Sequence, residues 1–518
     1  MSKKVMVNFT MRAGLSCLIL FCGCRTISAP PAPDDVVDIP QQWSGSAESS
    51  ADVDETWWFS FQDPNLRECV KEALAYNHDL KAAVARFDIA AAQVRLAGAR
   101  LQPQLDGTLS GQRQRENFIG FPIGDNGSGQ GQSSNTTEQV FNTTFNSFTL
   151  QASASWEIDL WGRLRAARQA AFADFQASQA QLQAAHLSIA AQTAKSWFAL
   201  VEARRQLQLV EETIETYRRT QQQVQLRVDS GVASPVELQL AINNRASAEA
   251  LLRQRQIEVE LAVRRLEILL GRYPGGAIHT RAVLPAVSQS VPAGLPSDLL
   301  QRRLDIVAAE KELAAQRIRI EEARTSLFPQ ISLTASAGTR SEQFHNLMDS
   351  DFFIWSVGGN LLQPLFDGGT RLANIDLAKG QARLALADYA NTILQAFLEV
   401  ESALVSETRL HQRQQRLHAA ARSANKARQL SQARYEQGID DLLTVLEAQR
   451  RALDSQSALI SVQRQRLDNR VDLHLALGGN FRIDHQPRKT DLTLDLLLRR
   501  QDIMESTDDH SDEGDVGK

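Results

Sequence analysis

The segment from Phe148 to Leu160 alternates apolar and polar residues without a break. A period of two residues predicts a β-strand with one apolar face and one polar face. From Gly162 to about Ser230 the chain then follows one continuous helical pattern, which would be roughly 100 Å long at about 1.5 Å per residue. A two-faced strand that leads into so long a helix is rare in globular domains. The combination predicts a membrane β-barrel that is continued by a helical tube.

Four segments show strand patterns, in two pairs. They cover residues of about 104–116, 146–160, 330–340 and 352–365. Their lengths suit the tilted strands of a membrane barrel. Four strands are too few for one barrel, because the smallest closed barrel needs about eight and an open edge in lipid leaves backbone groups without hydrogen bonds. The pattern therefore predicts that several chains share one barrel, and the alternative is a four-stranded sheet with one solvated face.

Apolar residues recur every seven positions in the long helical segment. One series is Leu182, Ile189, Ala203, Val210 and Tyr217, in which polar Ser196 fills the gap, and a second is Leu200, Leu207 and Ile214. A seven-residue apolar period predicts supercoiled helix pairs. The opposite faces carry Gln, Arg and Glu, as expected for a wall in contact with water.

The two halves of the chain repeat one another. Gly231 is matched by Gly438, 207 residues later, within similar segments, and Pro103 is matched by Pro329, 226 residues later. Each half reads helix, strand, loop, strand, long helix, tight glycine turn and returning helix. A duplicated unit of this kind can occupy equivalent positions around an axis.

The N-terminus carries a targeting pattern. Basic residues precede a short apolar stretch, residues 13–21, and Cys24 follows closely. This arrangement predicts a lipoprotein signal peptide at residues 1–23 and a covalent lipid on Cys24, with an N-acyl chain and an S-diacylglycerol. Phe21 departs from the leucine that usually stands three positions before the lipidated cysteine. A plain secretory signal with incidental cysteines is the alternative.

Both ends of the mature chain lack periodicity. Residues 24–55 are rich in Pro, Ser and Asp, and we expect an extended, lipid-anchored tether there. Residues 481–518 end in an acidic stretch and are predicted to be disordered. Neither segment carries a motif of its own beyond the lipid attachment.

Composition and motifs exclude several classes of function. The net charge of −5 argues against a nucleic-acid partner. Cys69 is the one cysteine well inside the mature chain, so neither a disulfide framework nor a cysteine metal site is expected. The sequence contains neither an HExxH motif nor a phosphate loop, and no apolar run is long enough for a transmembrane helix. We expect no enzymatic activity, no metal and no cofactor besides the lipid.

Several stretches resemble the TolC/OprM family of outer-membrane efflux proteins, particularly its NodT-like lipoprotein branch. They are Trp57–Trp58 to Asp63–Pro64, Leu74–Asn77, Trp156–Arg163, Leu295–Leu300, Gln363–Gly369 and Ala476–Gly479. The resemblance implies a mainly α fold with a membrane β-barrel: a homotrimeric channel-tunnel in the Gram-negative outer membrane. Three chains would supply four strands each to one twelve-stranded barrel, and their helices would form a periplasmic coiled-coil barrel.

The same resemblance implies the domain organisation. Residues 56–270 would form the first repeat, with its helical hairpin turning at about 231. Residues 271–296 would form an equatorial connection, and residues 297–480 the second repeat, which turns at about 438.

The resemblance also implies a function. The chain would be the passive exit duct of a tripartite efflux or type I export system. Its partners would be a periplasmic adaptor (membrane fusion protein), which contacts the turns at Gly231 and Gly438, and an inner-membrane pump of the RND, MFS or ABC type. The alternative is a lipid-anchored periplasmic coiled-coil adaptor or structural protein, which would not need paired membrane strands or a duplicated layout.

The resemblance also implies a gate at the periplasmic mouth, with positions matched through Tyr435, Gly438 and Leu446. Glu447 matches one acid of the ring at this mouth, and Thr444 takes the place of the other. Glu237 and Tyr435 match residues that lock the mouth shut. Asp440 stands where TolC has the arginine of that lock, so an ion pair with Glu237 is impossible.

The acids after the second turn suggest a mechanism for the gate. Asp440, Asp441 and Glu447 would be repeated in three chains around one axis, where like charges repel and attract cations. We hypothesise a cation-selective constriction that opens when a partner splays the helix pairs. The closed state would then depend on hydrogen bonds of Tyr435 or on apolar contacts of Leu442 and Leu443. The alternative is three solvated acids at a helix start, where they favour the helix dipole.

Overall fold

The computed structural model describes residues 57–118, 141–278, 280, 283–286 and 296–479, together with Val37, Pro40, Trp43 and Ser44. The chain divides into two units, Met1–Gly479 and Asn480–Lys518, and the described residues all belong to the first. The predicted signal peptide, the lipidation site Cys24, most of the tether and the acidic C-terminal tail lie outside the described residues.

The two halves contain the same succession of elements. The first contains α1 (Pro64–Tyr76), α2 (His78–Ala99), β1 (Gln104–Phe118), β2 (Phe141–Ile158), α3 (Arg163–Asp229) and α4 (Pro235–Leu269). The second contains α5 (Leu299–Arg302), α6 (Leu304–Thr325), β3 (Gln330–Ser341), β4 (Phe353–Leu362), α7 (Thr370–Glu436) and α8 (Leu442–Ala476). Helices α3 and α7 have 67 residues each, and α4 and α8 have 35 each. The halves therefore match in the order of their elements and in the length of their two long helices.

The four predicted strands are present, with shifted ends. β1 and β3 start where expected, at Gln104 and Gln330. β2 begins at Phe141 and ends at Ile158, so the expectation that the strand reaches Leu160 is wrong. The reason is Asp159, whose carboxylate accepts hydrogen bonds from the backbone N–H groups that open α3, at 3.1 and 2.9 Å.

The strands form one antiparallel sheet in the order β1-β2-β3-β4. The register keeps the two faces separate across all four strands. One row of the apolar face is Leu105, Ala154, Ala335 and Val357. The adjacent row of the polar face is Asp106, Ser153, Ser336 and Ser356. Large apolar side chains such as Trp355 and Val357 are more than 70% exposed in the single chain, as expected for a face that meets lipid.

The helices pack through small residues. Between α3 and α6 the buried cluster consists of Ala166, Ala170, Ala173, Ala315 and Ile318. Alanine at these positions lets the two helix backbones approach closely. Farther along α3, the predicted heptad residues Leu182, Ile189, Val210 and Tyr217 are buried. The seven-residue period thus identified a packing seam of the helical part.

Two tryptophans donate hydrogen bonds to the connections between helices and strands. The indole N–H of Trp161 donates to the carbonyl oxygen of Pro329 at 2.8 Å, and the Trp161 ring stacks on Phe328. The indole N–H of Trp156 donates to the carbonyl oxygen of Leu101 at 3.0 Å. These bonds satisfy polar groups where strands and helices meet. None of the helices in the described ranges carries an apolar stretch that could traverse a lipid bilayer.

Candidate functional site

Both helical hairpins end in the same turn, at the end of the molecule remote from the sheet. Gly231 and Gly438 have φ angles of 73° and 75°, a conformation that costs glycine little. In the first turn the N–H of Val232 donates to the carbonyl oxygen of Arg227 at 2.8 Å, and in the second Ile439 donates to Arg434 at 2.9 Å. The bonds satisfy terminal carbonyl groups of α3 and α7. The hairpins therefore turn at Gly231 and Gly438, as predicted from the sequence.

The helices that return from the turns begin with side-chain caps. Ser234 and Glu237 form a capping box at the start of α4, in which the Glu237 carboxylate accepts from the Ser234 N–H at 3.3 Å. Asp441 caps α8 and accepts from the Thr444 N–H at 2.9 Å. Two residues assigned to the gate from the sequence therefore also have a local role in starting a helix.

A buried apolar cluster joins the two tips within one chain. It consists of Val224, Ala241, Tyr435, Leu442, Val445 and Leu446. Of the two leucines expected to hold the closed state, Leu442 is buried in this cluster, whereas Leu443 is 61% exposed. Only the first of them can stabilise the contact between the hairpins in one chain.

Arg227 connects the two hairpins through Tyr435. Its guanidinium donates to the backbone carbonyl oxygen of Tyr435 at 2.7 Å and lies 4.5 Å from the centre of the Tyr435 ring. The Tyr435 hydroxyl is buried and makes no hydrogen bond of good geometry among the described residues. Burial raises the pKa of this phenol, and the nearby Arg227 guanidinium opposes the shift. The expected hydrogen bonds of the Tyr435 hydroxyl are therefore absent within the described part of the single chain, and the contact is made by the ring and the backbone.

Neighbouring amides add to this connection. The Gln223 side chain donates to the Glu436 carboxylate at 2.9 Å. The side-chain amide of Gln432 donates to the Gln223 side-chain oxygen and to the Glu436 carboxylate. Arg227 is not among the gate residues predicted from the sequence. A signal was present, because Arg227 and Arg434 each stand four residues before a turn glycine in the duplicated segments.

The three acids after the second turn have different partners. Asp440 pairs with Arg434, at 3.0 and 2.9 Å from the Arg434 Nε. Glu447 pairs with Arg451 at 2.6 Å and with Arg450 at 2.8 Å, and hydrogen bonds from these arginines lower the pKa of Glu447. The hydrogen bond from Thr444 lowers the pKa of Asp441. Arginines thus offset the charge of two of the three acids.

Five exposed apolar side chains lie around the turns. They are Leu226, Val232, Val236, Ile439 and Leu443, each more than half exposed. We call these five residues the tip patch. No group of His, Cys, Asp and Glu residues within the described ranges is arranged to hold a metal ion.

A family model described as outer membrane efflux protein matches residues 69–272 and 295–479. The chain is 33% identical to the outer membrane protein OprJ of Pseudomonas aeruginosa, over 90% of this chain and 96% of that protein. It is also 33% identical to the pyoverdine export outer membrane protein OpmQ of the same species, over 91% and 97%.

Solved structures of outer membrane channels are similar as well. The CmeC channel of Campylobacter jejuni superimposes with a TM-score of 0.78 at 27% identity, over 91% of this chain and 97% of that one. The MtrE channel of Neisseria gonorrhoeae, in its open state, gives a TM-score of 0.73 at 27% identity, over 87% and 98%.

These similarities confirm the predicted fold class of a homotrimeric channel-tunnel with four barrel strands per chain. They confirm the outer-membrane location with a large periplasmic helical part and the function of a passive exit duct rather than an enzyme. The relatives are outer-membrane components of efflux systems, which excludes the coiled-coil adaptor. The chain belongs to the outer membrane efflux protein family.

Proposed function

We propose that three copies of this chain form the exit duct for small organic compounds delivered by an inner-membrane pump, of the RND, MFS or ABC type, and a periplasmic adaptor. The assignment as an exit duct is supported by the similarity to outer-membrane efflux proteins, which extends over about nine tenths of the chain. The names of relatives support the cargo, because they refer to antibiotic efflux in ArpC of Pseudomonas putida and to pyoverdine export in OpmQ. Both names refer to small molecules rather than to secreted proteins.

The observation that carries a gated duct is the contact of Arg227 with Tyr435 at the hairpin tips. In our proposal, the contact holds the two hairpins of one chain together in the closed state. A partner that separates the hairpins must break a charge-assisted hydrogen bond and a cation–π contact, each worth about 1–2 kcal/mol. With three chains, the sum is enough to favour the closed mouth strongly.

Conductance in planar lipid bilayers tests this gate. Arg227→Gln removes the charge and the stacking, and we expect at least tenfold more open-channel time, because about 1.4 kcal/mol corresponds to a factor of ten. Tyr435→Phe is the matched control: it keeps the ring and the backbone carbonyl and removes a hydroxyl without a partner among the described residues. If the Arg227→Gln channel is open for no more time than the parent channel, the gate assignment is wrong.

The acids belong to the same proposal. Asp440, Asp441 and Glu447, repeated in three chains, would line the mouth and favour cations, with Glu237 at the adjoining hairpin. Exposure and lowered pKa values support ionised groups at Asp441 and Glu447. The arginine partners of Asp440 and Glu447 reduce the field that these two acids add. Asp441 would therefore contribute most to the ionic preference.

We propose the tip patch, next to Gly231 and Gly438, as the contact surface for the adaptor. Exposed apolar residues at the end of a hairpin suit the apolar face of a partner helix. Val232→Ser with Ile439→Ser should weaken cross-linking to the adaptor and lower drug resistance, with bilayer conductance unchanged. Met348→Ser is the control, since Met348 is 87% exposed and lies between β3 and β4, at the opposite end of the molecule. Unchanged cross-linking in the tip variant would contradict this surface.

Lipidation at Cys24 completes the proposal. Basic residues followed by an apolar stretch, which in turn precedes Cys24, support a lipoprotein signal. Growth with labelled palmitate should label the parent protein and a Cys22→Ser variant, and should leave Cys24→Ser unlabelled. Equal labelling of Cys24→Ser would refute the assignment.

A further inference from the structure

The last part of β1 places opposite chemistry on its two faces. Gln112, Gln114 and Glu116 share one face and form a chain of hydrogen bonds, in which Gln112 donates to Gln114 at 3.0 Å and Gln114 donates to Glu116 at 2.8 Å. Arg113 and Arg115 alternate with them and therefore lie on the other face. Glu116 thus cannot offset the charge of the arginines from across the strand.

The arginine face is the apolar, outward face of the sheet. It continues the row of Leu105 and Leu109, and Gly111 lies opposite Phe148 of β2. The end of β1 that carries the arginines is the end remote from the helices. Because the helical part lies in the periplasm, this end of the strand points to the outside of the cell.

The height of the arginines follows from the strand geometry. The outward apolar run on β2 extends from Phe148 to Ile158, about 34 Å along the strand at about 3.4 Å per residue. A tilt of about 40° reduces this length to about 26 Å, close to the apolar band of about 25 Å in membrane barrels. Arg113 pairs with Asn146, two residues past Phe148. Arg113 and Arg115 therefore lie about 5 and 10 Å beyond the band by the same spacing and tilt.

Both arginine side chains are exposed. Neither makes an ion pair with any residue in the described ranges. Two arginines whose Cα atoms lie about 7 Å apart along one strand face, at the level of lipid headgroups, form a site of positive charge. Guanidinium binds phosphate oxygens through paired hydrogen bonds.

We propose that Arg113 and Arg115 bind the phosphate groups of a bisphosphorylated glycolipid, lipid A, in the outer leaflet. The apolar face below the arginines packs against the acyl chains, and the guanidinium groups hold the headgroup. Three copies of the site surround one barrel. The site fixes the height of the barrel in the membrane and surrounds it with the anionic lipid of that leaflet. This site is separate from the gate, and its failure would leave the duct proposal unaffected.

Native mass spectrometry of the detergent-extracted full-length protein tests the site, with bisphosphorylated lipid A as the titrant. A variant with both Arg113→Gln and Arg115→Gln should bind about 30-fold more weakly, which corresponds to about 2 kcal/mol. Arg340→Gln is the matched control, because Arg340 carries the same charge on the polar face of β3, opposite Thr149. It should keep the affinity of the parent.

A second arm uses the parent protein alone and needs no folded variant. Lipid A with one phosphate should bind more weakly than the bisphosphorylated form, and dephosphorylated lipid A should bind weakest. Higher salt should weaken binding of the phosphorylated forms. Equal binding of all three lipids, or undiminished binding by the double variant, would overturn the proposal. A preference for a phospholipid such as phosphatidylglycerol over lipid A would also overturn it.

Discussion

The side-chain amide of Asn77 donates a hydrogen bond to the carbonyl oxygen of Leu269, at 2.9 Å. Asn77 stands between α1 and α2, and Leu269 ends α4. The second half of the chain repeats this relationship, since Arg303 lies between α5 and α6 and donates to the carbonyl oxygen of Ala476, the last residue of α8, at 3.4 Å. Each half thus anchors the end of its returning helix to the break between its first two helices.

Replacement of Asn77 tests this anchor. Asn77 is 3% exposed, and its side-chain oxygen also accepts from the N–H groups of Asp79 and Leu80 at 2.8 and 3.1 Å. Asn77→Ala removes the cap and leaves the Leu269 carbonyl without its partner. We expect a loss of about 2–3 kcal/mol, measured from thermal unfolding of the detergent-extracted protein. Asn65→Ala, the same substitution at an exposed position of α1, should change stability by less than about 0.5 kcal/mol. Equal effects of the two substitutions would contradict the anchor.

The glycines after these helix ends make a second prediction. Gly271 has a φ of 72°, and a Cβ there would lie 2.5 Å from the backbone oxygen of Tyr76. Gly276 has a φ of 81° and no atom within 4 Å of its Cβ position. Gly276→Ala should therefore cost only the backbone strain, about 1–2 kcal/mol. Gly271→Ala should cost clearly more in urea unfolding, because a backbone must move. If the two variants unfold at the same urea concentration, the close packing of Gly271 is not needed.

Asp468 predicts a pH dependence of stability. It lies on α8 beside Arg464, and burial raises its pKa from the ordinary 3.8 to about 6. Arg464 and Lys195 oppose this shift, and Asp472 and Glu202 add to it. Between these pH values the folded state holds a proton that the unfolded state has lost. The stability that protonated Asp468 contributes to the folded state is therefore fully present below about pH 4 and is lost as the pH rises through about 6.

Unfolding midpoints measured from pH 4 to pH 8 test this dependence. The parent should lose up to about 3 kcal/mol over this range from Asp468, at 1.36 kcal/mol per pKa unit. Asp468→Asn should flatten this part of the profile. Asp376→Asn, at an exposed acid of α7 whose side chain is 77% accessible, should leave it unchanged. An unchanged slope in Asp468→Asn would show that other groups cause the dependence.

Local patterns predicted what depends on local geometry. The strands followed from the two-residue period, the packing of α3 from the heptads, and the turns from glycine at Gly231 and Gly438. The strand pattern does not extend over all of residues 141–147. Beyond the apolar band, Asn142, Thr144 and Asn146 lie on the outward face of β2 and Phe141 and Phe145 on the other, so the apolar–polar alternation is lost. The sequence therefore set the position of each element better than its ends.

The site was harder to predict because its main contact joins distant positions. Arg227 and Tyr435 are 208 residues apart, and no periodicity brings such a pair together. Local pairing was open to inference: Arg450 and Arg451 follow Glu447 by three and four residues, the spacing at which helix side chains meet. In the structure Glu447 pairs with both arginines, which is a contact that the hypothesis of an acidic ring did not include.

The ionic preference of the mouth should depend on Asp441. Asp440 and Glu447 have arginine partners, whereas the Asp441 carboxylate accepts from the Thr444 N–H and has no arginine partner within the described ranges. Asp441→Asn removes one charge per chain and keeps a good helix cap. Three charges near one axis should shift the cation-to-anion permeability ratio by about two- to fivefold, allowing for water and salt.

Reversal potentials of bilayer channels in a KCl gradient measure this ratio. The matched control is the double variant Arg434→Gln with Asp440→Asn, which removes an ion pair from the same region and leaves the net charge unchanged. It should keep the permeability ratio of the parent, whereas Asp441→Asn should lower it. If both variants conduct with the parent's ratio, the acids after Gly438 act only as helix caps and surface charges, and the ionic preference arises elsewhere in the duct.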